Sequence, residues 1–137
     1  RLLTWIHSLQ RPETLSHIDP VYANFLFTGE GIKLIDWEYA GMADPLIDFA
    51  MATIYAEKDF DYAFRLLDYY GDTDVPRDKA EQLVTAYMAL GGFLWALWAV
   101  YKEALGVSFG TYPLTQYRYA KEGYRRFSER ESDADSL

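Results

Sequence analysis

The stretch SHIDPVYANFLFTGEGIKLIDWEYAG, residues 16–41, decides the fold, because it carries strand signals and few helix signals. Two short apolar runs, Phe25–Thr28 and Ile32–Ile35, flank Gly29-Glu30-Gly31. Apolar runs around a short glycine-containing segment are typical of a β-hairpin, here with a three-residue loop. No helix signal follows these glycines, so we interpret this Gly-x-Gly as a turn and not as a phosphate-binding loop.

The register of this hairpin would bring polar side chains together. If Thr28 pairs with Ile32, then Asn24 lies opposite Asp36, and opposed Cβ atoms in antiparallel strands are about 4.5–5.5 Å apart. An amide oxygen and a carboxylate at that spacing can share a hard divalent cation, and Mg²⁺ suits them because it keeps water and substrate phosphates as its other ligands. Asp19, five residues before Asn24, is a candidate base facing the same space.

The rest of the chain favours helices, so the predicted fold class is mostly α (α+β), a small β-hairpin plus a helical bundle. We interpret Asp44 and Asp48 as residues that stabilise a helix start. The expected helices cover residues 1–10, Asp44 to Glu57, Asp59 to Tyr70, Arg77 to Leu105 and Leu114 to Arg130, followed by a solvated tail over residues 131–137.

Composition limits the classes of function. The 137 residues are 50% hydrophobic and 18% aromatic, which is enough for one domain with a buried core and excludes a disordered chain. A net charge of −8 repels phosphate backbones, so we expect no nucleic-acid partner, and it favours a cationic ligand or a metal ion. The absence of cysteine excludes disulfides, thiolate zinc sites and cysteine nucleophiles. The opening residues lack a signal peptide's continuous apolar core, and we expect a cytoplasmic protein.

One segment has the length of a membrane span. No residue is charged from Gln82 to Tyr101, which is about the ~20 residues that a bilayer helix needs. The segment contains Thr85 and two glycines, and charged residues flank it directly, so we expect a helix buried in a protein core and no membrane.

The polar residues of the hairpin region match a known pattern. His17-x-Asp19-x-x-x-x-Asn24, followed by Asp36 in Ile35-Asp36-Trp37-Glu38, resembles the catalytic segment of kinase-fold phosphotransferases. That resemblance implies a protein-kinase-like C-terminal lobe with Asp19 as the catalytic base and with Asn24 and Asp36 as ligands of Mg²⁺. We expect His17 to orient the loop by hydrogen bonding and not to take part in the chemistry.

Two further motifs narrow the resemblance. The forms I-D-W-E-Y and G-G-F-L-W-A-L-W are similar to the choline/ethanolamine kinase family, which is related to aminoglycoside phosphotransferases, and the similarity covers about Leu15 to Phe127. In that family a W-x-x-W pair, the acidic residue of the I-D-[WF]-E motif and a late tyrosine line the choline pocket. The resemblance therefore implies a substrate-binding set of Glu38, Trp95, Trp98 and Tyr117, with Tyr119 as the alternative tyrosine.

Elementary chemistry agrees with such a pocket. Trp95 and Trp98 share a helix face, and Gly91, one turn earlier, would leave a gap beneath the Trp95 ring. A trimethylammonium group cannot donate hydrogen bonds, so aromatic faces and a carboxylate hold it. Glu38 would supply the carboxylate, since in an extended strand it points to the same side as Asp36. The alternative is that both tryptophans simply fill the core.

A kinase fold also needs a Gly-rich loop and a strand lysine that hold the ATP phosphates, and this sequence shows neither. We therefore expect residues 1–137 to be the catalytic and acceptor-binding lobe of an ATP-dependent choline kinase whose N-terminal ATP lobe is absent, with ATP as co-substrate. We also expect self-association through the apolar interface that the absent lobe would otherwise cover. The alternatives are a phosphotransferase for ethanolamine, an aminoglycoside or another small alcohol, and a catalytically idle module that binds quaternary ammonium compounds.

Overall fold

The computed structural model describes residues 1–134 and confirms a mostly helical fold with small sheets. Helix α5 continues past the predicted end at Arg130, and residues 135–137, the end of the predicted tail, lie outside the described residues. The elements in chain order are α1 (Leu2–Ser8), β1 (Thr14–Ser16), a 3₁₀ turn (Tyr22–Asn24), β2 (Phe25–Thr28), β3 (Gly31–Leu34), β4 (Gly41–Ala43), α2 (Leu46–Tyr55), α3 (Phe60–Tyr70), α4 (Arg77–Ala104) and α5 (Tyr112–Ala134).

Strands β2 and β3 form the predicted hairpin, but the predicted register is wrong by one residue. Thr28 pairs with Gly31 and not with Ile32, so the loop has two residues. The Thr28 hydroxyl causes the tighter turn, because it donates to the Gly31 carbonyl at 2.9 Å and accepts from the Glu30 N–H at 3.3 Å. Gly31 has a φ of +124°, which a side chain would disfavour. Asn24 consequently lies opposite Ile35, whose N–H donates to the Asn24 carbonyl at 2.9 Å.

A second sheet closes the ends of this region. Strand β1 pairs with β4 in antiparallel fashion, from Thr14 with Ala43 to Ser16 with Gly41. The hairpin and its flanking loops therefore leave the helical body and return to it at one point. Sequence patterns did not predict this sheet, because three-residue strands are too short to show alternation.

The helical body is built around α4, which packs against both α2 and α5. Glycines allow the close approach: a Cβ at Gly92 would lie 2.6 Å from the Gln116 carbonyl oxygen of α5. At Gly91 a Cβ would overlap the Met51 side chain of α2. The expected gap beneath Trp95 is therefore filled by Met51, and Gly91 serves helix packing. The largest fully buried apolar side chains are those of Phe127, Leu46, Ile54, Leu67, Leu83 and Met88.

A buried ion pair connects the segment before β1 with the helical body. The Arg11 guanidinium donates to the Asp44 carboxylate at 2.9 Å, and both side chains are almost fully buried. The Tyr87 hydroxyl of α4 donates to the same carboxylate at 3.0 Å. The other Asp44 oxygen accepts from the Leu46 N–H at 3.0 Å, as expected for a residue at a helix start. Asp44 therefore links the segment before β1 to helix α4 and also caps α2.

Helix α4 is long and apolar enough to cross a membrane, with a mean hydropathy of 1.7 over its most apolar window. Two thirds of that window, 67%, is buried against the rest of the protein. This burial agrees with the prediction that the helix belongs to a protein core.

Candidate active site

The loop that carries Asp19 is anchored to the first turn of α2. The backbone N–H groups of His17 and Ile18 donate to the two Asp48 carboxylate oxygens, at 2.9 Å and 2.7 Å. Ile18 has a φ of +70°, a left-handed conformation that is strained for a β-branched residue. Because these two bonds hold the backbone just before Asp19, Asp48 does more than begin a helix. Sequence reasoning missed this role, since the partners are distant in the chain.

His17 connects this loop with the end of the hairpin. Its Nε2 donates to the Ile35 carbonyl at 2.8 Å, because a carbonyl can only accept. The ring is buried and packs edge-on against Trp37, with centroids 4.8 Å apart. These contacts are what a loop-orienting histidine requires, and they tie the Asp19 loop to the segment that contains Asp36.

Asn24 and Asp36, the predicted metal ligands, occupy different environments. The buried Asn24 amide donates from Nδ2 to the Asp19 backbone carbonyl at 3.0 Å and to its Oδ2 at 3.4 Å. This orientation leaves the amide oxygen as the Asn24 atom available to a cation. Asp36 is exposed, with a φ of +61°, one residue beyond the Ile35 that faces Asn24.

The donors available here fit a hard cation such as Mg²⁺. An amide oxygen and a carboxylate are oxygen ligands, and Mg²⁺ commonly takes only one or two protein carboxylates together with substrate phosphates. Within residues 1–134, no group of three or more His, Cys, Asp or Glu side chains could hold a metal without further ligands. The set therefore suits a cation that arrives with a phosphate-bearing substrate.

Beside this region lies a cleft of about 440 Å³ between the hairpin loops and the helical body. Its walls are partly apolar, and two carboxylates face into it. The lining residues are Asp19, Val21, Glu38, Tyr39, Tyr55, Trp95, Trp98, Phe109 and Tyr112. Four residues singled out in the sequence, Asp19, Glu38, Trp95 and Trp98, are thus brought to one cleft.

Glu38 reaches the cleft by a route that differs from the prediction. Residues 38 and 39 lie in a turn after β3 and not in an extended strand. The Ala40 N–H closes this turn on the Trp37 carbonyl at 3.0 Å. Strand alternation with Asp36 is therefore not the reason that Glu38 faces the cleft.

The aromatic wall of the cleft is a connected set of rings centred on Trp95. Its ring centroid lies 5.5 Å from that of Trp98, 5.6 Å from Tyr55 and 5.9 Å from Tyr39. Trp98 continues the set to Phe109, at 5.1 Å. Trp95 is only 7% exposed and also belongs to the main core cluster. Both interpretations of the tryptophans therefore apply to Trp95, which fills the core with one face and lines the cleft with another.

The tyrosine that lines the cleft from α5 is Tyr112, and the expectation for Tyr117 needs correction. Tyr117 lines a separate groove with Leu3 and Phe93, because five residues beyond Tyr112 a helix has turned by about 140°. Tyr119 lies about 10 Å further along the axis, and its hydroxyl donates to the Lys58 carbonyl at 2.7 Å.

The tyrosine hydroxyls near Asp19 remain protonated at neutral pH. Burial, together with the nearby Asp19 and Glu57 charges, raises the pKa of Tyr112 to about 12. Burial and the neighbouring Asp19 carboxylate raise the pKa of Tyr55 above its usual range as well. These hydroxyls can therefore donate hydrogen bonds into the cleft.

Sequence comparison identifies relatives that share this region. The model of the phosphotransferase enzyme family matches residues 1–101. Protein LicA of Haemophilus influenzae is 35% identical over 103 residues, which is 72% of this chain and 39% of that protein. The chain therefore spans well under half of the length of this relative.

Solved structures give the same result for the fold. Choline kinase LicA from Streptococcus pneumoniae superposes with a TM-score of 0.74 at 33% identity, over 89% of this chain and 43% of that chain. A choline/ethanolamine kinase family protein from Mesorhizobium loti superposes with a TM-score of 0.72 at 26% identity, over 93% of this chain and 47% of that chain. The resemblance to choline/ethanolamine kinases is thereby confirmed, and the chain belongs to the phosphotransferase enzyme family.

Proposed function

We propose that this chain is the acceptor- and metal-binding part of a kinase that transfers the γ-phosphate of ATP to the hydroxyl of choline. The observation that carries the proposal is the single cleft in which a candidate base, Asp19, faces a second carboxylate, Glu38, and the Trp95–Trp98 pair. The similarity to choline kinase LicA supports the same acceptor.

The cleft suits a quaternary ammonium ion. Aromatic faces attract a cation that cannot donate hydrogen bonds, and the Trp95 and Trp98 rings meet edge to face, so their faces point in different directions. Glu38 adds a negative charge, and the net charge of the whole chain, −8, favours cations over anions. Trp98 already has the Lys102 ammonium 5.4 Å from its ring centroid, so the choline cation would take the remaining ring surface.

The residues near the cleft suit phosphoryl transfer to an alcohol. Asp19 accepts the proton of the acceptor hydroxyl, and the Asn24 amide holds the Asp19 carboxylate in place. The Asn24 amide oxygen and the Asp36 carboxylate would hold Mg²⁺. When bound, the ion neutralises charge on the phosphates of the nucleotide.

The sequence contains no Gly-rich loop and strand lysine of the kind that grip ATP phosphates in kinase folds. We therefore propose that residues 1–137 act as a C-terminal lobe, that a nucleotide-binding lobe outside this sequence supplies those contacts, and that the protein works in the cytoplasm. Incubated alone with radiolabelled ATP, Mg²⁺ and choline, the 137-residue chain should make no useful amount of phosphocholine. Robust product from the chain alone would contradict the two-lobe proposal.

Acceptor binding tests the proposed function directly. We expect choline to bind the chain more tightly than ethanolamine or an aminoglycoside in calorimetric titrations, because only choline presents a trimethylammonium group to the aromatic wall. Tighter binding of ethanolamine would instead support ethanolamine as the acceptor. This is the second candidate function, and the similarity to a choline/ethanolamine kinase family protein favours it. No binding of any of the three would contradict the proposal.

A further inference from the structure

The hydroxyl of Tyr55 is a buried polar group that the mechanism above does not use. Tyr55 ends α2 and lines the cleft. Its hydroxyl oxygen is shielded from solvent and makes no hydrogen bond of normal geometry within residues 1–134, but the Asp19 carboxylate is near enough to interact with it by hydrogen bonding and by charge. A buried hydroxyl whose hydrogen-bonding capacity is poorly satisfied by the protein can form a better hydrogen bond with a ligand.

The surrounding structure keeps this hydroxyl at the cleft. Asp48 and Tyr55 are separated by two turns of α2 and therefore share one face of the helix. The same face thus anchors the catalytic loop through Asp48 and presents Tyr55 to Asp19. The Tyr55 ring packs against Trp95 with centroids 5.6 Å apart, so the hydroxyl cannot leave the cleft without breaking this contact.

The two neighbouring groups have complementary hydrogen-bonding capacities. The ionised Asp19 carboxylate only accepts hydrogen bonds, whereas the protonated Tyr55 hydroxyl can donate one. Burial and the Asp19 charge keep the Tyr55 hydroxyl protonated by raising its pKa. An alcohol has one hydrogen to donate and an oxygen that accepts. A single alcohol group can therefore bond to both residues at once.

We propose that Tyr55 is a substrate-binding residue that donates a hydrogen bond to the hydroxyl oxygen of the acceptor, while Asp19 accepts from the same hydroxyl. This inference rests on the function proposed above and adds a determinant of specificity. A trimethylammonium compound without a hydroxyl would fill the aromatic wall and leave the buried Tyr55 hydroxyl with only its interaction with Asp19. The site would therefore select alcohols among quaternary ammonium compounds.

The test compares two ligands that differ only in the hydroxyl, choline and ethyltrimethylammonium. Their dissociation constants are measured by NMR titration on the 137-residue chain, on Tyr55→Phe and on the control Tyr70→Phe. The Tyr55→Phe variant keeps the ring that contacts Trp95. The Tyr70→Phe control removes a hydroxyl from a residue of α3 whose ring packs on Phe49 of α2, the helix that carries Tyr55.

We expect the unmodified chain and the control to bind choline more tightly than ethyltrimethylammonium, which can form neither hydrogen bond. In Tyr55→Phe the affinity for choline should fall about 3- to 10-fold, the scale of the one hydrogen bond that is lost, while the bond to Asp19 leaves a smaller preference for choline and the affinity for ethyltrimethylammonium stays within about twofold. Equal weakening of both ligands would assign Tyr55 a structural role and overturn the inference. An unchanged preference for choline would overturn it while leaving the proposed function intact, and failure of both ligands to bind the unmodified chain would overturn both.

Discussion

The hairpin region, residues 16–41, and the helical wall of the cleft differ in how they hold their functional side chains. In the hairpin region Asp36 and Glu38 are exposed, and the loops are fixed by a few hydrogen bonds, chiefly the two that the Asp48 carboxylate accepts and the one that His17 Nε2 donates. In the wall, Trp95 belongs to the main core cluster. Substitutions of the exposed carboxylates in the hairpin region should therefore change catalysis with little change in the free energy of unfolding. Substitutions in the helical wall should change both ligand binding and the free energy of unfolding.

The largest effect should come from the exposed carboxylate of the hairpin region. In a protein that joins this chain to its nucleotide-binding lobe, Asp36→Ala should abolish measurable turnover, because it removes a proposed Mg²⁺ ligand. The melting temperature of Asp36→Ala should stay close to that of the unmodified protein, since the side chain is exposed.

Asp19→Asn should lower turnover in the same protein by about 10²–10⁴-fold, the usual range for a lost general base. Turnover of Asp19→Asn close to the unmodified rate would remove Asp19 from its proposed role.

Trp95→Ala should affect both stability and binding. Truncating a buried tryptophan costs about 3–5 kcal/mol of unfolding free energy, and loss of a cation–π contact should weaken choline binding by roughly 1–2 kcal/mol. The half-buried Trp98 is the comparison: Trp98→Ala should weaken choline binding similarly with a smaller loss of stability. Denaturant unfolding and choline titration of both variants measure the two effects. A folded Trp95→Ala variant with unchanged choline affinity would return Trp95 to a core role alone.

Asp48 tests whether a helix residue controls the hairpin region. Asp48→Asn loses the carboxylate charge and one of the two acceptors for the His17 and Ile18 N–H groups, so the unfolding free energy should fall by about 1.5–3 kcal/mol. Turnover should fall further than choline affinity, because the backbone before Asp19 is released while the aromatic wall is intact. Asp61→Asn, an exposed carboxylate in the first turn of α3, is the control. Equal effects of the two variants would refute the anchoring role.

The smallest effect concerns alkaline pH and the helical wall. Tyr112 has a usual pKa near 10 that the fold raises to about 12, so the folded state holds this proton more tightly than the unfolded state. The corresponding stability is complete below pH 10 and is lost as the pH rises towards 12. Thermal melts between pH 9 and pH 11 should therefore show a smaller alkaline loss in Tyr112→Phe than in the unmodified chain. Identical pH dependence would mean that Tyr112 ionises as freely in the fold as in the unfolded chain.

Local patterns predicted most of the fold. All five expected helices have observed counterparts within a few residues of the predicted bounds, because caps, prolines and glycines act on neighbouring residues. The hairpin was predicted for the same reason. Its register was not, because the Thr28 hydroxyl selects a shorter turn than the glycine pattern favours.

Contacts between distant parts of the chain account for the rest. The motif residues Asp19 and Glu38 were found because their spacing matches a known pattern. Asp48 was missed because its partners, His17 and Ile18, lie on a loop about thirty residues earlier, and Tyr55 was missed because its neighbour Asp19 lies on the same loop. Tyr112 was missed because the face of α5 that lines the cleft depends on how α5 packs against α4. A single sequence gives no direct sign of such packing.

The β1–β4 pairing also sets the order in which the site can form. The hairpin can close as soon as β3 has been synthesised, since its strands adjoin in sequence, whereas β1 must wait for Gly41–Ala43. Closing the longer loop costs more chain entropy, and contacts distant in sequence form more slowly. The proposed base, both proposed metal ligands and Glu38 all lie between Ser16 and Gly41, so a nascent chain on the ribosome holds them in their final arrangement only after β4 and the Asp48 anchor of α2 have emerged.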